Sequence, residues 1–276
     1  MDSRSFHLSI DCVGSSGILL SPEQKAALQI SLVILQNENK FSKVYFWGKI
    51  VGVKNDYFVT QGVYRDEFAG RKIFYSKDCI HWGLLPPATA QMKANAKLEK
   101  GRFTGDPSFE VEHVEFKKVG EGDDATEEEE VTVIKEEDRL AAVIADINAD
   151  VWIVPRGAFI QAPTAEVVNN RSFEGLTVQE ASKLCNYMHF RKAKTLDFKN
   201  LLQRANVDRA IDFMDSIEDD IPNGSWSIQF ERGSGLLTLR SLLWPGYSFY
   251  HVPATREYGS VYFGTGERNL DLPFMI

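Results

Sequence analysis

The chain has 276 residues, 43% hydrophobic and 25% charged, which is enough apolar material for a full core and typical of folded globular proteins. Its longest apolar stretch, around Leu32 and Leu35, falls far short of the roughly 20 residues of a membrane-spanning helix. Most of the net charge of −8 comes from Glu121 to Glu130, with seven carboxylates and no Lys or Arg, so the body is nearly neutral, which argues against nucleic-acid binding, since holding phosphates needs a basic face.

Residues 1–20 carry Gly14-Ser15-Ser16-Gly17 and little periodicity, so they read as a loose lead-in; the absence of a basic stretch leading into an apolar run at 1–10 gives no targeting signal and an expectation of the cytosolic space. Ser21 opens a helix as its N-cap, with Pro22 at the first position and Gln24 placed to bond back to the cap. Leu28, Leu32 and Leu35 line one face and Ile30, Val33 and Ile34 widen it, predicting a helix buried on most sides. Residues 44–53 and 57–63, joined at Lys54-Asn55-Asp56, read as a β-hairpin, with 72–76 as a third strand and Pro86-Pro87 as a corner. Residues 90–100 are helix-forming, with Gly101 as the stop. The acidic run at 121–130 reads as a solvated loop or insert, too charged to pack.

Leu140, Val143, Ile144 and Ile147 predict an amphipathic helix, and 151–154 a short buried strand ended by Pro155. Thr177 and Glu180 form a second capping box, whose helix would bury Ala181, Leu184, Cys185 and Met188. Short helical turns are expected near Leu201 and Phe213-Met214. From residue 221 the pattern is an antiparallel meander. Trp226, Ile228 and Phe230 alternate along one strand. Residues 236–244, apolar at both parities and including Trp244, form a central strand, followed by strands at 247–252 and 260–263. The fold class is therefore α+β, mainly antiparallel sheets (an N-terminal hairpin and a C-terminal meander) packed with several amphipathic helices. Two domain organisations fit: one domain over 1–276, or two lobes, 1–150 with the acidic loop and 151–276 ending in the meander.

Chemistry-bearing patterns are sparse. Cys12, Cys79 and Cys185 are odd in number and widely spaced, which fits a reducing compartment rather than a disulfide framework. Cys185 and His189 would share a helix face and Cys79 and His81 a strand face, making a two-Cys, two-His metal set if the pairs met; each residue also has an ordinary packing role, the better reading. Gly259, Gly264 and Gly266 do not lead into a helix, as a phosphate loop must. Asp212, Asp215, Asp219 and Asp220 read as a solvated polar face before an acid/base pair, and Trp226, Trp244, Tyr258 and Tyr262 as core before a stacking platform. The tail carries Leu270, Leu272, Phe274, Met275 and Ile276, five apolar groups in eight residues, which predicts docking: on the chain's own sheet, as an edge strand through Leu270 and Leu272, or on a neighbouring subunit. Pro273 limits any ladder and favours self-docking.

Several stretches resemble the radial spoke head 9/4/6A family of motile cilia and flagella: Val44-Tyr45-Phe46-Trp47-Gly48-Lys49-Ile50 with Asp56-Tyr57, residues 84–89, Gly101-Arg102-Phe103-Thr104-Gly105-Asp106-Pro107-Ser108, Pro155-Arg156-Gly157-Ala158, and nearly all of 221–276. The resemblance implies a non-enzymatic structural subunit without catalytic residues, cofactor or metal. Its implied place is the cytoplasm and cytoskeleton, in the axoneme, where spoke heads pass mechanical signals between the central pair and the dynein arms. Its implied partners are other spoke head proteins, resembling 4, 6A and 1, with the central pair as a transient contact. The alternative is a soluble enzyme or metal-binding module of unknown substrate.

Overall fold

The computed structural model describes the chain apart from residues 17–18, 120–125, 196–197, 199, 203–206 and 276. The lead-in is built into the core. Helical turn α1 (Phe6–Ser9) runs into a 3-10 turn (Ile10–Ser16), and Phe6, Ile10 and Val13 are fully buried. Their spacing of four and three is helical, a signal the Gly and Ser residues beside it obscured. Helix α2 (Pro22–Glu38) has both bonds of the capping box, Gln24 N–H to Ser21 Oγ at 3.2 Å and Ser21 N–H to Gln24 Oε1 at 3.0 Å. Leu28, Leu32 and Leu35 are buried against the sheet, but Ile30, Val33 and Ile34 are 65, 44 and 49% exposed, so only one face is covered.

Strands β1 (Lys43–Ile50), β2 (Tyr57–Val63), β3 (Lys72–Ser76) and the two-residue β4 (Gly83–Leu84) pair antiparallel in sequence order. Helix α3 (Ala90–Ala96), capped by Thr89, ends earlier than its composition suggests. The acidic run differs from expectation: β5 (Glu110–Val119) and β6 (Thr126–Lys135) form a hairpin that takes in residues 126–130, while 121–125 lie outside the described residues. The backbone register sets residues 115–119 of β5 opposite residues 126–130 of β6.

Helix α4 (Glu136–Val151) buries Leu140, Ile144 and Ile147 as its period requires. Small strands β7 (Ile153–Pro155), β8 (Phe159–Gln161) and β9 (Val167–Asn169) follow, then α5 (Val178–Ala181). That helix stops after one turn, although its capping box is complete. Leu184–Asn186 is a 3-10 turn, and β10 (Tyr187–His189) pairs with β7. Burying Tyr187 and gaining a ladder outweigh the local helical preference. Near 213–214 the expected helical turn lies slightly later, at Ile217–Asp219. The meander is β11 (Trp226–Glu231), β12 (Leu236–Ser241), β13 (Tyr247–His251) and β14 (Tyr258–Gly264), with α6 (Leu272–Met275) after it. Trp244 lies past the end of β12 yet is buried, its Nε1 donating to Asp150 Oδ2 at 3.1 Å.

The hairpin and the meander share one eight-stranded sheet, ordered β11-β12-β13-β14-β1-β2-β3-β4. Every pairing is antiparallel except the seam, where β14 and β1 run parallel over Gly48, Lys49 and Ile50 against Tyr262, Phe263 and Gly264. A bulge in β1 between Phe46 and Gly48 adjoins this seam. Gly48 has φ +149°, and a Cβ there would lie 2.1 Å from Tyr262 O, so only glycine lets the strands approach. Below the seam β1 is flanked by residues 1–3: Asp2 bridges Tyr45, and Phe46 N–H donates to Met1 O at 2.8 Å.

Side chains alternate across the sheet. Phe46, Phe58 and Phe263 face α1, the 3-10 turn and α2, while Trp47, Tyr57, Tyr247 and Tyr262 face α4 and the small strands. Trp47 stacks on Trp152 at 5.9 Å and donates through Nε1 to Asn148 Oδ1 at 2.7 Å. Phe6 packs edge-on to Phe46 at 5.1 Å. We expect Phe6→Ala to cost about 3–5 kcal/mol in urea unfolding, the penalty of a large core side chain replaced by a cavity. A loss under about 1 kcal/mol would mean that the first helical turns contribute nothing to the core.

Candidate functional site

The candidate chemistry of the sequence separates in space. Cys185 sits in a 3-10 turn and His189 in β10, so they do not share a helix face. Buried His189 donates through Nε2 to Asp220 Oδ1 at 2.7 Å, and Asp220 Oδ2 accepts Trp226 Nε1 at 2.7 Å. Cys79 is buried, and desolvation, reinforced by Asp78, pushes its thiol up to about 12, far from a usable thiolate. His81 is at the surface, hydrogen-bonded to Asp78 at 2.6 Å. Among the described residues no three His, Cys, Asp or Glu converge as metal ligands.

The aspartates are dispersed. Asp212 takes a two-pronged ion pair from Arg156, at 2.5 and 2.8 Å. Asp215 is buried and organises the loop after β10. It accepts the N–H groups of Lys194 (2.7 Å) and Thr195 (3.1 Å), the Thr195 hydroxyl (2.6 Å) and Arg191 Nη1 (2.7 Å). Burial by itself would raise this carboxyl; the hydrogen bonds from Lys194, Thr195 and Arg191 outweigh it and bring it down to about 2. Trp226, Trp244 and Tyr262 are buried, and no open stacking surface forms among them. Gly259 and Gly264 lie in β14, and Gly266 is followed by a turn rather than a helix N-terminus.

Sequence reasoning missed the polar hub under Gly101–Ser108. Glu136, buried at the start of α4, accepts Tyr57 OH (2.7 Å), Thr104 N–H (2.8 Å), the Thr104 hydroxyl (2.7 Å) and Gly105 N–H (2.8 Å). Burial and this bond hold the Tyr57 phenol far above its usual range, so it acts as a donor. Gly105 has φ +91° and its missing Cβ would strike Asn55 O at 2.3 Å, so the loop seats directly on the β1–β2 turn. Arg139 lies over the Phe103 ring at 4.4 Å and donates to Gly101 O. The acidic first turn of α4, read beside the Phe-Thr-Gly run, was the available signal.

The tail presents a different surface. Asn269 fastens it to the β12–β13 turn, its N–H donating to Leu243 O at 2.8 Å and its Nδ2 to Leu242 O at 3.2 Å. Leu272 is buried at 2% exposure, whereas Leu270, Phe274 and Met275 are 65, 89 and 72% exposed, beside Leu242 at 42%. No edge strand forms through Leu270 and Leu272: Pro273 fits the first turn of α6 and cannot extend a ladder. Ile276 lies outside the described residues. Among the described residues no helix is long and apolar enough to cross a membrane.

A sheet seamed through Gly48, with an apolar surface at its tail and a buried carboxylate under the Gly101–Ser108 loop, coincides with a sequence match to the family model described as "Radial spokehead-like protein" over residues 9–138. The full chain is 51% identical to the radial spoke head protein 9 homologs of Bos taurus and Homo sapiens and 52% to that of Danio rerio, each match spanning the whole of both chains. The chain belongs to the radial spoke head protein 9 family.

The Asp215 carboxyl makes stability depend on acid. Its folded value, about 2, lies below the ordinary 3.8, so the ionised form stabilises the fold above roughly pH 5 and that contribution is lost as pH falls through 4 toward 2. Asp215→Asn is therefore expected to cost about 2 kcal/mol at pH 7 and to flatten the stability profile between pH 5 and 2, as read by urea unfolding at a series of pH values. An unchanged acid slope would mean that the Arg191 and Thr195 bonds do not hold the carboxylate.

Proposed function

We propose that this protein is a non-enzymatic structural subunit of the axonemal radial spoke head in motile cilia and flagella, supporting head assembly and spoke-mediated mechanical signalling between the central pair and the dynein arms. The observation that carries the reading is full-length likeness at about 50% identity to radial spoke head protein 9 homologs. Its partners are other spoke head proteins, resembling 4, 6A and 1, with the central pair as a transient contact. The reading of one domain over 1–276, rather than two lobes, is supported by the sheet that runs from the hairpin into the meander.

The tail supplies a docking patch for such a partner. Leu272 anchors α6 to its own fold, while Leu270, Phe274 and Met275, with Leu242, leave apolar groups in water that another head subunit would cover. Affinity isolation from cilia should recover other spoke head proteins, and the purified chain should co-elute with them in size-exclusion chromatography.

Anchor and patch respond differently to substitution. Leu272→Ala should lower stability by about 2–5 kcal/mol as a cavity-forming change. Phe274→Glu should leave the melting midpoint within a degree or two of the parent and abolish co-elution. A Phe274→Glu chain that still assembles removes the patch from the interface, and a parent chain that binds no spoke head protein overturns the functional reading itself.

A further inference from the structure

Below the parallel seam residues 1–3 come between β1 and β14, the Met1 amine donating to Phe46 O at 2.9 Å and to Ser260 O at 3.3 Å. A cavity of about 300 Å³ opens beside them. Its deep wall is Trp152, Ile153, Phe159 and Phe190, all buried. Its mouth lies at Ser5 and Leu8 of the first helical turn and at Arg256 and Glu257 before β14, all four exposed. An apolar cleft of this size with a few polar groups is the usual form of a small-molecule site.

The charged groups on its walls have partners of their own, except one. Lys43 and Tyr45 alternate onto one side of β1 and both reach buried Glu67, which accepts Lys43 Nζ at 3.4 Å, Tyr45 OH at 3.2 Å and Asn169 Nδ2 at 2.8 Å. Asp2 accepts the Arg4 N–H at 3.1 Å, and Arg256 and Glu257 stand in solvent at the rim. Arg71 is different. It donates through Nε to Glu67 O at 2.6 Å and lies over the Phe190 ring at 4.4 Å, and among the described residues no acceptor takes its two Nη groups. Asp66 close by is occupied by the N–H groups of Phe68 at 2.8 Å and Val167 at 3.3 Å. Burial pulls the Arg71 guanidinium below its ordinary value against the opposing pull of Glu67, as for a cation short of opposite charge.

We propose that this cavity is a binding site for an apolar carboxylate, a single carboxyl group on a small aromatic or branched body. The two Nη groups of Arg71 form the fork that matches two carboxylate oxygens, and one uncompensated cation calls for a monoanion rather than a phosphate dianion. Trp152, Phe159 and Phe190 take the body. Tyr258, also on the wall, adds a neutral donor: burial, with the Glu67 charge, holds its phenol far above the usual range, and its hydroxyl has no partner among the described residues. A free acid and the end of a protein chain both carry this chemistry.

Isothermal titration of the isolated full chain tests it without any spoke head protein. Hydrocinnamate should bind saturably, and its neutral counterpart hydrocinnamamide about tenfold or more weaker, since the fork's bonds to a charged group are lost. Inorganic phosphate should bind far more weakly than either. Arg71→Gln should weaken the acid about tenfold or more and leave the amide unchanged. Because Arg71 also touches Glu67 and Phe190, the exposed mouth supplies a second pair of variants. Leu8→Arg should tighten the acid severalfold and Leu8→Glu loosen it, with the amide alike in both, a gain that lost stability cannot produce. A peptide ending in a free Phe carboxylate that binds tighter than hydrocinnamate, and not once amidated, assigns the site to a protein chain end; weaker peptide binding assigns it to a free acid. The proposal is overturned by acid and amide binding alike, by phosphate binding as well as the acid, or by no acid binding at about 5 mM. A folded Arg71→Gln chain that binds the acid as the parent does overturns it as well.

Discussion

The short parallel seam between β14 and β1 holds the two halves of the chain together. Three residue pairs, Gly48 to Ile50 against Tyr262 to Gly264, join strands that begin more than 200 positions apart in sequence. Closing so large a loop is costly in chain entropy and the ladder is short, so the seam depends on packing above and below it. Trp47 and Tyr262 supply that on one face, at 5.3 Å between rings, and Phe46 with Phe263 on the other, at 6.4 Å. The bulge next to Gly48 is part of the same solution. It lets bulky aromatic neighbours point to opposite faces while the glycine backbone approaches Tyr262.

Around this sheet the layers are oriented by buried polar groups with satisfied partners. Glu136 ties the start of α4 to the Gly101–Ser108 loop and to β2, Asn148 meets Trp47, and Tyr247 accepts Ile153 N–H at 3.0 Å while donating to Ser260. Hydrophobic area is tolerant of small rotations, whereas a carboxylate with four donors at under 3 Å is not. The helix layer is thereby fixed in angle as well as in distance.

Among the places where the fold leaves apolar side chains exposed are the outer side of α2 and the end of the chain at α6. Both are on helices whose other side is anchored, by Leu28, Leu32 and Leu35 in one case and by Leu272 in the other. An anchored helix presents its outer side chains with little further ordering cost, which favours association.

The sequence by itself determined much of the local structure. Ser21 with Gln24 and Thr177 with Glu180 announced helix starts through the donors a helix end leaves open, the 140–147 period gave the buried side of α4, and the turn residues of 221–276 spaced four strands correctly. These are short-range effects, settled by groups a few positions apart. What only the tertiary structure decided depends on partners far away in sequence. The α5 capping box started a helix that β7 cut short, the lead-in became core because Phe6 met Phe46, and part of the acidic run joined β6 because β5 lay alongside to pair with it. Glu136 looked like one more surface carboxylate until the Thr104 and Gly105 donors closed over it. The stripe at Ile30, Val33 and Ile34 was visible as apolar, but apolarity does not say which side of a helix meets the sheet; that was fixed by where Leu28, Leu32 and Leu35 found their cover.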